Sequence, residues 1–79
     1  MVTPESIKQN IAQGMDTLYL SVSGDGQHFE AVVVSEEFAG KSRVQRHQRV
    51  YQTLGDRMRE EVHALSMKTF TPQEWERQT

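Results

Sequence analysis

The chain has 79 residues, 35% hydrophobic and 25% charged, with no cysteine and a net charge of −2. That length makes one small domain, residues 1–79, burying roughly 60–65% of its unfolded surface and leaving no room for a large internal cavity. The composition excludes a disulfide framework and a bilayer-spanning run of about 20 apolar residues, and the net charge excludes a molecule drawn as a whole to nucleic acid.

Met1-Val2-Thr3-Pro4-Glu5 has neither the basic region nor the apolar stretch of a signal peptide, so a cytoplasmic protein is expected. The first element is a helix. Thr3 is placed to cap it, Pro4 suits its first position and Glu5 complements its dipole. Ile7, Ile11 and Met15 form one apolar stripe, and Gly14 marks a C-terminal stop. The segment from Thr17 to Ser23 alternates, with Leu18, Leu20 and Val22 predicted to share a buried face. Gly24-Asp25-Gly26 is a turn signal. A second strand, His28 to Val34, completes a hairpin, with Phe29, Ala31 and Val33 inward and His28, Glu30 and Val32 outward.

Ser35 to Ser42 reads as a loop with Phe38 as its apolar anchor and Gly40 as a turn. Ser42 caps a long helix predicted from Arg43 to about Glu61. Val44, Val50, Tyr51, Leu54, Met58 and Val62 fall on one apolar arc with His47 in its middle. Gly55 costs about 1 kcal/mol of helix propensity, so two consecutive helices are the alternative there. Lys41, Arg43, Arg46 and Arg49 cluster at the helix start, with Arg46, Arg49 and Arg57 along its outer side. Such a cluster is a solvated helix face, a phosphate-contacting surface for DNA, or a docking surface for an acidic partner. The third strand is predicted from His63 to Phe70, with His63, Leu65 and Met67 on the core face. Thr71-Pro72-Gln73-Glu74 is a capping box with proline at the first helical position. It opens a short last helix held by Trp75 and Phe70. The outer face carrying Tyr19 and Val32 is left for a helix or a partner to cover.

The fold expected is α+β, in the order α-β-β-α-β-α around a three-stranded sheet. The crossover from the second strand to the third makes these two parallel. His28 and His63 therefore open neighbouring strands at one end of the sheet, beside the glycine turn. Strands about 4.8 Å apart bring two such imidazoles within reach of a common ion. Strand parity puts them on opposite faces, which the glycine-flanked turn at His28 relieves. In a chain without cysteine they are the candidates for metal or cluster chemistry. The competing readings are a core-edge histidine bonded to a carbonyl for His63 and an exposed turn residue for His28. His47 reads as a packed helix residue, with a third ligand role as its alternative. Nothing points to an enzyme: there is no cysteine nucleophile and no phosphate-binding glycine loop, and Asp25 with His28 is the only acid–histidine pair at a loop.

Four ordered motifs then resemble the BolA family. They are Ser23-Gly24-Asp25-Gly26-Gln27-His28-Phe29, Val33-Val34-Ser35-Glu36-Glu37-Phe38-Ala39-Gly40-Lys41-Ser42-Arg43-Val44, Arg46-His47-Gln48-Arg49-Val50-Tyr51, and the stretch from Val62-His63-Ala64-Leu65 to Pro72-Gln73-Glu74-Trp75. The resemblance covers nearly the whole chain and is greatest to short bacterial members. It implies a topology like class II KH domains and partnership with a monothiol glutaredoxin. It further implies a [2Fe-2S] cluster shared with the glutaredoxin cysteine and glutathione, none being held tightly by the chain alone. The family's histidine maps onto His63, and its variable loop ligand onto His28. Imidazole in place of thiolate removes negative charge and raises a cluster's potential, which suits cluster transfer or iron sensing. The resemblance also implies, as the alternative function, a stress-responsive DNA-binding transcriptional regulator using Lys41, Arg43, Arg46 and Arg49. KH nucleic-acid binding relies on a Gly-x-x-Gly loop, and the corresponding Gly40-Lys41-Ser42-Arg43 lacks the second glycine. A monomer or weak dimer is expected for the protein alone.

Overall fold

Capping chemistry starts all three helices where the sequence places them. The computed structural model describes residues 2–55 and 64–78. Helix α1 spans Pro4–Gly14, with Thr3 and Ser6 forming a reciprocal capping box. Its stripe of Ile7, Ile11 and Met15 is buried. Gly14 packs against α2, where a Cβ would lie 2.7 Å from Thr53 Cβ. Helix α2 spans Arg43–Leu54, capped by Ser42 and Gln45. It stops at Gly55, whose φ of +66° with ψ near 180° is open essentially only to glycine. The single helix expected to about Glu61 therefore ends at Leu54, at the glycine where the two-helix alternative set its break; the second helix of that alternative lies outside the described residues. Met58 and Val62 of the expected arc, and Arg57, lie outside the described residues. Helix α3, Pro72–Gln78, opens on the expected box: the Thr71 hydroxyl accepts from the Glu74 amide, and Glu74 Oε1 accepts from the Thr71 amide at 2.8 Å.

Strands β1 (Tyr19–Gly24), β2 (Phe29–Val34) and β3 (Leu65–Phe70) form one sheet in the order β1-β2-β3. β1 and β2 are the antiparallel hairpin, and β3 runs parallel to β2 with Phe29 opposite Leu65 and Val34 opposite Phe70. The face carrying Phe29, Ala31, Val33, Leu65 and Met67 meets the buried residues of α1 and α2 in one core, with Phe38 folded in from the loop after β2. The result is a three-stranded α+β layer structure of the expected element order. On the opposite face, Tyr19, Val34 and Phe70 form one row across the sheet by register. Trp75 of α3 stacks on Tyr19 at 5.1 Å and tilts against Phe70 at 5.4 Å. A helix thus covers that end of the outer face.

Three core assignments are corrected. Tyr51 of the expected arc is 37% exposed, because it follows Val50 directly and so lies off the stripe through Val50 and Leu54. Leu18 is 69% exposed. It precedes the ladder, at a corner where the neighbouring position is the buried Ser35, whose hydroxyl donates to the Asp16 carbonyl at 2.6 Å. Val44 is 65% exposed, because the buried stripe of α2 runs through Val50 and Leu54. Arg46 sits four residues before Val50 on that stripe, whereas Val44 lies to its side.

Candidate functional site

The loop joining β1 to β2 is built around Asp25. Its Oδ1 accepts hydrogen bonds from the amides of Gln27 and His28, each at 2.9 Å. Those bonds, the His28 amide first, hold the carboxyl below its ordinary range. Gly26 takes a φ of +94°. Gly24 lets the loop close tightly, since a Cβ there would sit 2.5 Å from the Phe29 ring and 2.6 Å from the His28 carbonyl. His28 is exposed, and its Nε2 lies 3.2 Å from the Ser66 hydroxyl on β3.

Continuing the parallel register one step places His28 across from Ala64, the residue that follows His63 in sequence. His63 itself lies outside the described residues. Among the described residues no group of three or more His, Asp or Glu side chains is placed to hold a metal ion. The sequence reading missed Ser66, for which only strand register gives a signal.

The basic cluster divides in two. Arg46 is drawn inward, its side chain only 14% exposed. Its guanidinium donates to the Lys41 carbonyl at 3.0 Å, to the Thr69 carbonyl at 3.5 Å, and to both oxygens of Glu74 at 2.7 and 3.4 Å. It also lies over the Phe38 ring, 5.8 Å from its centroid. This pairing, with the Thr71 amide second, lowers the Glu74 carboxyl to about 2. Arg49 donates to Glu37 and to the Gly14 carbonyl, both at 3.0 Å, closing the C-terminal end of α1. Arg46 and Arg49 therefore do not form an outer basic stripe; they tie elements together.

Lys41 and Arg43 remain, and Lys68 of β3 joins them in an open groove of about 450 Å³. Arg46, His47, Met67, Phe70 and Glu74 also line it. Burial, with the Arg43 charge second, pushes the His47 imidazole below its ordinary value. The half-buried His47 so placed matches the packed-residue reading. No helix among the described residues is long and apolar enough to cross a membrane.

The family model described as "BolA-like protein" matches residues 1–74. The chain belongs to the BolA family. One relative is the "DNA-binding transcriptional regulator BolA" of Haemophilus influenzae, 44% identical over 61 residues that make up 77% of this chain and 59% of that protein. Another is the "Acid stress protein IbaG" of Escherichia coli, 47% identical over 57 residues, 71% of this chain and 68% of that one. The chain thus spans about three fifths of the length of the Haemophilus regulator. Among solved structures, a BolA homologue from Coxiella burnetii superposes with a TM-score of 0.80 at 47% identity, covering 96% of this chain and 99% of that one. The expected family and its fold are both met.

Proposed function

We propose that this BolA-family protein is the partner of a monothiol glutaredoxin, with a [2Fe-2S] cluster held between the two proteins for iron–sulfur assembly, trafficking or iron sensing. One observation carries the reading. A cysteine-free chain presents an exposed imidazole, His28, on a fixed turn beside the first residues of β3. The described donors fit a shared cluster better than a resident one. Among the described residues His28 has no second ligand beside it, which suits a cluster completed by a second molecule, as the glutaredoxin cysteine and glutathione would do. His28 and His63 are the residues that would hold the cluster on this side. When bound, it supplies a one-electron couple and a transferable iron–sulfur unit. The chain's own part is orientation. Asp25 fixes the backbone of His28, and the Ser66 hydroxyl engages one ring nitrogen, leaving the other for an incoming partner. The cytoplasm is the compartment this reading requires.

The second reading, a stress-responsive DNA-binding regulator, is favoured by the likeness to the Haemophilus DNA-binding transcriptional regulator and by the Lys41, Arg43 and Lys68 groove. It loses Arg46 and Arg49 as phosphate contacts, because both are spent on internal carboxylates.

The deciding experiment mixes the protein with [2Fe-2S]-loaded monothiol glutaredoxin and records visible circular dichroism for wild type, His63→Ala and His28→Ala. A new spectrum with wild type that His63→Ala abolishes, and that His28→Ala weakens, is expected. An unchanged wild-type spectrum overturns the reading. Salt-dependent DNA affinity, lost in Lys41→Gln with Arg43→Gln, would then move the second reading to the front.

A further inference from the structure

We propose that the free edge of β3 binds an acidic, extended peptide segment as an added strand. This goes beyond the cluster reading and uses a different part of the molecule. His28 precedes β2 at one end of the sheet, while the groove centres on Met67 to Phe70, toward the other end of a strand roughly 17 Å long.

Among the described residues β3 pairs with β2 alone, which leaves its other edge open there. The Ser35 amide donates to the Phe70 carbonyl at 3.0 Å, which fixes the phase of the parallel ladder. Phe70, Lys68 and Ser66 turn their amide groups toward β2, so those of Thr69, Met67 and Leu65 face outward. The Arg46 contact to the Thr69 carbonyl agrees with that phase and closes the edge at its upper end. Below it, the Thr69 N–H and the Met67 N–H and C=O form the alternating row that an incoming strand pairs with.

The walls specify the occupant. Lys41 and Arg43 stand on the α2 side and Lys68 on the strand itself. None of the three has an ion pair among the described residues, while the Glu74 carboxylate in the same groove is already taken by Arg46. Met67 and Phe70 supply apolar contact between the cations. Alternating acidic and apolar side chains on an extended backbone set carboxylates on one side of the strand, against Lys68 or against Lys41 and Arg43, and apolar groups on the other. A second copy of this chain does not. Two β3 edges laid together would bring cations against cations, and the other free edge, Tyr19–Gly24, carries no carboxylate. Nucleic acid would use the cations, but its bases do not repeat donor and acceptor at the spacing of a β-strand, which is what the outward groups present.

The test uses the intact protein, isotope-labelled, titrated with a peptide of about eight residues alternating glutamate and valine. Amide exchange is followed residue by residue. The expected result is saturable binding that protects the Met67 and Thr69 amides and leaves Ser66 and Lys68, already paired with β2, unchanged. A peptide N-methylated at alternate residues should fail to bind. Arg43→Gln with Lys68→Gln, both exposed positions, should weaken binding about ten-fold. Four results overturn the proposal: no saturable binding; binding without protection of Met67 and Thr69; preference for an oligothymidylate of equal charge; or protection of those amides that rises with protein concentration alone. The first three would leave the glutaredoxin spectrum untouched, so the two readings fail separately.

Discussion

Arg46 and Arg49 show how a basic side chain near a helix start can serve stability instead of recognition. Arg46 joins α2 to the end of β3 and to α3 through carbonyls and a two-point grip on Glu74. Removing the Glu74 charge leaves a guanidinium with 14% exposure without its anion. Glu74→Gln should therefore lower the melting temperature at pH 7. The pH dependence has a definite sign. A carboxyl held at about 2 in the folded state, against an ordinary 4.5, contributes stability fully above pH 4.5 and loses it as pH falls toward 2. Melting curves across that window should fall more steeply for wild type than for Glu74→Gln. Arg49→Ala removes two charge-assisted bonds, to Glu37 and Gly14. It should cost about 1–2 kcal/mol, read as a lower denaturant midpoint at unchanged slope. Neither role was legible beforehand, because Glu74 lies 28 residues from Arg46 and Gly14 lies 35 from Arg49. The available signal was the spacing Arg46-Val50-Leu54, which sets the arginine on the buried stripe.

At the level of elements, helix starts were the legible part, since a cap acts within three or four residues of itself. Thr3 with Pro4, Ser42, and Thr71 with Glu74 begin their helices as read. Hairpin and core parity in β2 also hold, with Phe29, Ala31 and Val33 buried. Leu18 failed because alternation does not say where a ladder begins, and Val44 because an apolar arc does not say which of its sides meets the sheet. Gly55 was flagged for its propensity, but its decisive property is a backbone conformation closed to other residues. Gly55→Ala should destabilise the protein by about 1–3 kcal/mol. Gly24→Ala pushes a methyl into Phe29 and the His28 carbonyl and should cost a similar 1–3 kcal/mol. Its separate signature is a shifted His28 imidazole resonance, which a mutation remote from the loop would not produce.

Across the whole molecule, a single core of α1, α2 and one sheet face carries the stability. A 79-residue domain has roughly 4–12 kcal/mol to lose. Phe38 is fully buried although it comes from a loop, and Phe38→Ala should cost about 3–5 kcal/mol. The expected outcome in chemical denaturation is a markedly lower midpoint at unchanged slope. The loop residue was read correctly as an anchor because a lone phenylalanine in a polar stretch has nowhere else to go. The groove beside β3 was not read, since it depends on Lys68 meeting the start of α2 across the fold. The parallel pairing sets residue 29 against residue 65, so the hairpin made early in synthesis has an unclaimed edge until the last strand leaves the ribosome. Tethered nascent chains that keep residues 65–70 inside the exit tunnel should hold helix and hairpin without a protease-resistant core, and the domain should close once those residues have emerged.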